Sequence, residues 1–197
     1  MYAIFDISGI HKPRDYKAPF SDTFSWPRML HISWIILDKD LKLIKDYDHI
    51  IKPEGYTLTE EIKKFCKVDD DDINTKAVEL EEVLKVFNES LKDVQYMFAH
   101  NMNAQENTLA AAYLRESMDH DVFKKERYCL MQEGTFFCKI PSKRGGYKWP
   151  SLSEMHQTIF KQKYAPSGNA RADVIAASRC FIGLMKVGAL DDIFEDE

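Results

Sequence analysis

The sequence predicts an α/β domain in which helices flank a mixed central sheet. Three strand-like stretches follow one another near the N-terminus, which indicates an antiparallel meander. After them the hydrophobic period changes to the helical one, and helical and strand-like segments alternate, which implies parallel pairing as well. The 197 residues are 45% hydrophobic, enough for a sizeable core.

The strands are predicted from short apolar runs. Residues 2–5 form an apolar run that ends in Asp6, and residues 30–37 and 43–52 give the second and third strands. A long loop rich in Gly, Pro and Lys separates the first two, over residues 8–27. Further along, residues 96–99 predict a fourth strand and residues 127–131 a short fifth one.

The helices are predicted from periodicity and end signals. Residues 59–65 suggest a short helix, residues 80–91 an amphipathic one with apolar residues at i, i+3, i+4, i+7 and i+11, and residues 106–115 a third. Ser151 and Glu154 make a capping box that starts another helix. The last helix covers about residues 169–187 and ends at Gly188. The acidic run at residues 69–72 favours a solvated loop or helix start over a metal site.

Composition and end segments limit the classes of function. The net charge of −5 gives no basic footprint of the kind that forces nucleic-acid binding. The four cysteines have no C-x-x-C spacing and are predicted to be buried thiols, which favours the cytoplasm. We expect no signal peptide and no membrane span. The predicted organisation is one domain over residues 1–188 with an acidic tail over residues 189–197, of which residues 191–197 are expected to be frayed.

Two acidic residues are candidates for chemistry on physical grounds alone. Asp6 closes a buried strand at the sheet edge where α/β proteins tend to place ligands. Asp173 lies on or beside the apolar stripe of the last helix, where a carboxylate is costly unless it is paired or binds a metal. A local cap or ion pair near the helix start is an equally good interpretation of Asp173.

Three motifs in order resemble those of the 3′–5′ exonuclease family that includes the epsilon subunit of bacterial DNA polymerase III, in its histidine-bearing DEDD subclass. Residues 5–11 stand where the family has D-x-E-T-T-G, residues 100–105 where it has H-N-x-x-F-D, and residues 168–173 where it has H-N-A-x-x-D. Intervening stretches at residues 26–28, 51–55 and 143–150 also match, so the resemblance covers roughly residues 1–187. It implies a ribonuclease-H-like fold with a mixed five-stranded sheet.

The departures from the family pattern bear on activity. In the family, four carboxylates hold two Mg²⁺ or Mn²⁺ ions and the histidine is the general base. This sequence keeps Asp6 and Asp173, but has Ser8, Gln105 and Gly168 at the other three positions. Two carboxylates cannot offset a combined charge of about +4, so the expectation is either one weakly held Mg²⁺ or Mn²⁺ ion on Asp6 and Asp173 or no ion. Glycine at the histidine position removes the base, worth roughly 10²–10⁴-fold in rate.

Neighbouring residues offer only weak replacements. Glu106 adjoins Gln105, but a one-residue shift on a helix turns a side chain by about 100° away from the site. His11 follows Asp6 in a loop and is able to swing in. His100 ends a strand and is more typical of a hydrogen-bonded structural histidine.

A basic and aromatic loop is the candidate nucleic-acid-binding segment. It supplies charged groups for phosphates and rings for stacking, from Lys143, Arg144, Tyr147, Lys148 and Trp149. The alternative is a loop whose Trp149 packs on the domain.

Three functions follow as hypotheses. The first is an exonuclease-fold protein that is inactive or impaired but still binds a single strand. The second is an active metal-dependent exonuclease with altered ligands. The third is a protein-interaction module that uses the acidic tail, with Ile193 and Phe194, to dock a protein partner.

Overall fold

A five-stranded sheet with the strand order β3-β2-β1-β4-β5 forms the centre of the fold. The computed structural model describes residues 1–165 and 168–194. The strands are β1 (Tyr2–Gly9), β2 (Met29–Leu37), β3 (Leu43–Ile50), β4 (Tyr96–Ala99) and β5 (Glu126–Cys129). The helices are α1 (Glu60–Cys66), α2 (Asp70–Lys76), α3 (Leu80–Ser90), α4 (Met102–Arg115), α5 (Leu130–Glu133), α6 (Thr135–Cys138), α7 (Leu152–Phe160) and α8 (Ala170–Lys186), with short 3₁₀ turns at Val122–Lys124 and Asp191–Ile193.

The pairing of the strands is mixed, as predicted. β1, β2 and β3 form the antiparallel meander, whereas β4 and β5 run parallel to β1. β1 pairs with β4 only from Tyr2 to Ile4. The residues of β1 after Ile4 therefore have no paired strand on the β4 side, which leaves a gap in the sheet next to Asp6.

The alternation of side chains along β1 divides the core into two layers. Ala3, Phe5 and Ile7 point to the face covered by α3 and α4. Ile4 points to the opposite face, which is covered by α7 and α8. By the same alternation Asp6 and Ser8 lie on the α8 side, so the strand carries polar residues toward α8 where its apolar run stops.

Local end signals set most of the helix boundaries. Ser151 and Glu154 form the complete capping box at the start of α7. Asp69 caps α2, and the next three acidic residues occupy its first turn, where they complement the positive helix end. The interpretation of the acidic run as a helix start is thus confirmed.

Several predicted boundaries are wrong by two to four residues: α4 begins at Met102 instead of residue 106, and β3 ends at Ile50 instead of residue 52. β1 continues past Asp6 to Gly9 because β2 pairs with it along that whole length. The strand predicted at residues 127–131 ends at Cys129, and α5 begins at Leu130. At the ends of β1 and β5, pairing with the neighbouring strand decides where the strand stops, and local propensity does not register that pairing.

The segment between β1 and β2 is held against α4 by one arginine. Arg115 donates hydrogen bonds to the carbonyl oxygens of Thr23 at 2.6 Å, Trp26 at 2.7 Å and Pro27 at 3.3 Å. The ring of Trp26 is buried and donates its indole N–H to the carbonyl of Pro19. This long loop is therefore a packed structure next to the end of β1.

The C-terminal segment packs on the sheet as far as it is described. Leu190 is 1% exposed, and the Phe194 ring contacts Tyr2 and Tyr96 with centroid distances of 5.8 and 5.0 Å. The expectation of a frayed tail is wrong for residues 191–194, because Ile193 and Phe194 pack against the core on the α8 face. Residues 195–197 of the predicted tail lie outside the described residues, and the division at residue 188 stays a prediction.

The cysteines are free thiols that are buried or partly buried, close to the burial predicted from the sequence. Cys66, Cys129 and Cys180 are buried thiols, and Cys138 is partly buried. Among the described residues, no helix has the length and apolar character needed to cross a membrane.

Replacing Arg115 by alanine is expected to loosen the loop between β1 and β2. The change leaves three loop carbonyls without their charged donor, so the free energy of unfolding should fall by about 2–3 kcal/mol. Urea unfolding measures the loss, and hydrogen exchange should accelerate at the Arg14 amide, which bonds to the Ser25 carbonyl. Arg144→Ala, at an exposed arginine in another loop, is the control; equal effects of both changes would refute the anchoring role.

Candidate functional site

A cavity of about 390 Å³ lies next to the end of β1 that does not pair with β4. All five positions identified through the family resemblance line it: Asp6, Ser8, Gln105, Gly168 and Asp173. They come from β1, α4, the α7–α8 segment and α8, which are far apart in the sequence. The tertiary structure thus brings together the positions that the motifs select.

Gln105 replaces a strand partner at the open edge of β1. Its side-chain oxygen accepts a hydrogen bond from the Ile7 N–H at 2.8 Å. Its amide nitrogen donates to Asp6 Oδ1 at 2.9 Å. One neutral side chain therefore satisfies both the backbone of β1 and the carboxyl group of Asp6.

The carboxyl group of Asp6 is in an environment that disfavours its charge. Burial raises the pKa of Asp6 well above its usual value, and the negative charge of Asp173 raises it further. A carboxyl group with a raised pKa retains its proton more strongly, and the proton competes with a cation for the same oxygen.

Asp173 is held by hydrogen bonds from the segment that precedes α8. The Tyr164 hydroxyl donates to Oδ1 at 2.5 Å, and the Gly168 N–H donates to Oδ2 at 3.1 Å. Asn169 caps the helix through the Ala172 N–H. Both interpretations of Asp173 thus apply, because the residue pairs locally near the helix start and also lines the cavity.

Ser8 and Gly168 are joined across the cavity. The Ser8 hydroxyl donates to the Gly168 carbonyl at 2.8 Å. Gly168 has φ +71°, and a Cβ at this position would stand 3.0 Å from the Phe65 carbonyl oxygen. A histidine at this position would be strained in the backbone and crowded, so the local fold is adapted to glycine.

Three neighbouring residues are candidates to replace the absent carboxylates and histidine base, and each of them has another partner. Glu106 points away from the cavity and forms an ion pair with Arg127 at 2.8 Å. His100 lines the cavity, but its ring Nε2 contacts the Pro150 carbonyl at 3.0 Å, and burial lowers its pKa. The ring Nδ1 of His11, which also lines the cavity, lies 2.7 Å from the Lys12 carbonyl.

The donor set does not match a two-metal centre. Over residues 1–165 and 168–194, no group of three or more His, Cys, Asp and Glu side chains is arranged to hold a metal ion. An N–H of Gln105 and an O–H of Tyr164 point at carboxylate oxygens that would otherwise face a cation. The single weak ion on Asp6 and Asp173 stays a prediction.

The basic and aromatic loop forms an exposed hairpin beside the cavity. Pro141 bridges to Tyr147, and the turn between them contains Gly145 and Gly146, both with positive φ. Trp149 is 56% exposed, so it does not pack into the domain. Lys143 and Arg144 are exposed, whereas Lys148 bonds to Glu154 at the start of α7.

Two residues of the site region have no signal in the sequence. Tyr164 lies outside every motif, and only the path of the chain between α7 and α8 brings its hydroxyl to Asp173. Tyr16 lies in the loop between β1 and β2, and its carbonyl accepts a hydrogen bond from Asn103 at the start of α4. The positions of Tyr164 and Tyr16 follow from the conformations of their loops, which no sequence motif specifies.

Comparisons with solved structures support the fold. E. coli exonuclease I in complex with a dT13 oligonucleotide has a TM-score of 0.72 and 12% identity, with 98% of this chain and 42% of that chain covered. The nuclease domain of 3′hExo, described as a DEDDh family member bound to rAMP, has a TM-score of 0.71 and 13% identity, over 95% of this chain and 92% of that domain. A 3′-exonuclease that recognises the histone mRNA stem-loop has a TM-score of 0.71 and 13% identity, over 95% of this chain and 82% of that chain.

These likenesses show that the chain has the fold of 3′ exonucleases, with the mixed five-stranded sheet predicted from the sequence. The chain spans less than half the length of E. coli exonuclease I. No protein-family model and no curated protein matches the sequence.

Asp6→Asn is expected to stabilise the protein at neutral pH in EDTA. Because the folded-state pKa of Asp6 is raised, the carboxyl is protonated in both states at low pH, and its charge destabilises the fold as pH rises through the folded pKa. The amide keeps the acceptor for Gln105 without that charge. The stability gap between variant and wild type should therefore be small near pH 4 and grow toward neutral pH.

Urea unfolding at several pH values measures this gap. Asp93→Asn, at an exposed aspartate, serves as the control and should change stability little at any pH. A variant that is less stable than wild type by the same amount at every pH would contradict the predicted charge penalty at Asp6.

Proposed function

We propose that this protein is a non-cleaving relative of the DEDD exonucleases that binds single-stranded nucleic acid. The observation that carries the proposal is the bridge made by Gln105, which donates to Asp6 and accepts from the Ile7 N–H. At the position where the family has a metal-binding carboxylate, this chain has a group that completes the hydrogen bonding of β1 instead.

The charge of the cavity supports the loss of metal-dependent catalysis. Two divalent ions need about four carboxylates, and this site offers Asp6 and Asp173. Burial and the charge of Asp173 both favour the neutral form of Asp6, since they raise its pKa. One weakly held Mg²⁺ or Mn²⁺ is the most that such a donor set accommodates.

The segment before α8 supports the loss of the general base. Gly168 has a backbone conformation that histidine adopts only with strain, and its carbonyl is bonded to Ser8. Tyr164 bonds to Asp173, so a phenol lies beside this acid. A hydroxyl that already donates its proton to a carboxylate is a poor replacement for the histidine base of the family.

Nucleic-acid binding is supported by the hairpin next to the cavity. Lys143 and Arg144 offer two exposed cations, and Tyr147 and Trp149 are 46% and 56% exposed. Exposed aromatic rings between basic residues are typical of surfaces that stack bases of a single strand and contact its phosphates. Proteins of the same fold have been solved with a dT13 oligonucleotide and with rAMP.

An active exonuclease with altered ligands is the alternative. Turnover with Mg²⁺ or Mn²⁺ that is lost in Asp173→Asn would establish it. The protein-interaction alternative loses its proposed docking motif, because Phe194 packs on Tyr2 and Tyr96.

Gln105→Asp is expected to turn the cavity into a metal site. In EDTA the variant loses both hydrogen bonds of Gln105 and gains a third carboxylate, so it should be destabilised by about 1–3 kcal/mol. Millimolar Mn²⁺ should restore its stability, because a ligand at about 100 times its Kd contributes about 2.7 kcal/mol. Wild type should show a far smaller Mn²⁺-dependent rise in Tm, since its two carboxyl groups hold one ion weakly at most.

Gln105→Ala is the matched control, since it removes the same hydrogen bonds without adding charge. It should lose stability and show no response to Mn²⁺. A wild-type protein that is stabilised by Mn²⁺ as strongly as Gln105→Asp would show that the native site already holds the ion and would refute the non-cleaving assignment.

Strand binding should be salt dependent and should weaken when the hairpin cations are removed. Lys143→Ala with Arg144→Ala should lower the slope of log K against log salt by about 1.4, at about 0.7 per lost contact to a single strand. Fluorescence anisotropy with a labelled oligonucleotide measures the slope.

The control for charge is Lys39→Ala with Lys42→Ala. These exposed lysines flank the β2–β3 turn, at the end of the sheet opposite Asp6, since Leu37 pairs with Tyr2. The control should leave the slope unchanged. Absence of wild-type binding at low salt would rule out the nucleic-acid part of the proposal.

A further inference from the structure

A second cavity, of about 700 Å³, adjoins the degenerate site. Asn101 lines both cavities, so they share a wall at the turn between β4 and α4. Its volume lies within the roughly 300–1,000 Å³ that is usual for ligand pockets. It lies outside the three motif segments except where α4 begins.

Two aromatic residues from different loops line this second cavity. Tyr16 comes from the loop between β1 and β2 and is 45% exposed, and Trp149 comes from the hairpin and is 56% exposed. Each ring is exposed at the edge of the cavity, where stacking with a planar group of a ligand would stabilise binding.

The aromatic lining is pre-formed. The Asn103 side chain donates to the Tyr16 carbonyl at 3.0 Å, which ties the loop to α4. The three hydrogen bonds of Arg115 hold the same loop further along. On the other side, Pro150 is buried and its carbonyl contacts His100, which fixes the chain directly after Trp149. Ligand binding in this cavity therefore carries little entropy cost for ordering the loops.

The remaining lining combines the apolar side chains of Met102, Cys129 and Met131 with polar ones, whose formal charges nearly balance. Glu106 and Arg127 form the ion pair at 2.8 Å, with side chains 18% and 26% exposed. The amides of Asn103 and Gln132 add donors and acceptors, and Glu133 lies beside them. A bare phosphate is disfavoured by the two acids, whereas a neutral planar group with donors and acceptors at its edge matches this lining.

We propose that this cavity binds a nucleobase, which stacks on Trp149 and Tyr16 and faces the polar side chains of Gln132 and Arg127. The inference rests on the proposed function, because the base belongs to the single strand whose phosphates contact Lys143 and Arg144 on the same hairpin. It adds that the strand is held by its bases in the second cavity and not in the degenerate site, where the negative charge of Asp173 repels phosphates.

The first experiment separates base binding from phosphate binding. Two labelled strands of about 12 nucleotides are compared by anisotropy at low salt, an oligo-dT and an abasic strand of equal length and charge. The abasic strand should bind about tenfold more weakly. Trp149→Ala and Tyr16→Ala should each weaken oligo-dT binding by about five- to tenfold and leave abasic binding unchanged.

Phe24→Ala is the matched control. Phe24 is 74% exposed and lies in the same loop as Tyr16, but it does not line the cavity. Its ring contacts the Arg14 guanidinium at 3.9 Å. This variant should bind both strands like wild type.

The second experiment uses intrinsic fluorescence. Trp149 is the exposed one of the three tryptophans, since Trp26 and Trp34 are 1% and 0% exposed. Oligo-dT should quench tryptophan emission by stacking, the abasic strand should not, and Trp149→Phe should abolish the change.

The outcomes distinguish this inference from the function on which it rests. Equal affinities for the two strands with unchanged emission would overturn base binding and leave strand binding intact. No binding of either strand would overturn the proposed function itself. Quenching by oligolysine but not by oligo-dT would assign the cavity to a cationic peptide instead and would also overturn the inference.

Discussion

The bridge that Gln105 makes between α4 and β1 is the interaction on which the rest of the site depends. β1 pairs with β4 only as far as Ile4, so the Ile7 N–H has no ladder partner in β4, and the side-chain oxygen of Gln105 supplies one. The amide nitrogen of the same side chain faces Asp6. A buried backbone donor and a carboxyl group are thus satisfied by one neutral residue, without a cation. Desolvation raises the pKa of Asp6, and the amide nitrogen that donates to Oδ1 offsets part of the cost of burying this polar group.

The other replacements are structurally consistent with that bridge. Ser8 bonds to the carbonyl of Gly168, the N–H of Gly168 bonds to Asp173, and Tyr164 bonds to the same acid. The segment before α8 is therefore connected to β1 through hydrogen bonds at the positions where the resembling family has metal ligands and a base. Gly168 is part of this arrangement, since its positive φ and the nearby Phe65 carbonyl leave little room for a side chain. Restoring one family residue, such as histidine at Gly168, would place it in a local structure that fits the present residues.

The charged and aromatic groups outside the cavity suggest where a ligand is held. Glu106, one residue from Gln105, points into the adjoining cavity and neutralises Arg127. The loop between β1 and β2 is fixed by Arg115 and carries Tyr16 to one edge of that cavity, and the hairpin carries Trp149 to another. Stacking and hydrogen bonding at a pre-formed polar cavity need no metal ion, which is consistent with a protein that binds a strand without cutting it.

The sequence by itself determined the order of the five strands and of helices α1, α3, α4, α7 and α8, the capping box of α7, and the five motif positions that line the cavity. These features depend on local periodicity, local end signals and ordered motifs, all of which are readable along the chain. Only the tertiary structure decided the length of β1, the packing of Leu190 and Phe194, and the partners of Asp6 and Asp173. It also decided that Trp149 is exposed and that Tyr16 lines the same cavity. These depend on contacts between residues distant in sequence, such as Tyr164 with Asp173 and Gln105 with Ile7, whose formation is set by loop paths that no local pattern encodes.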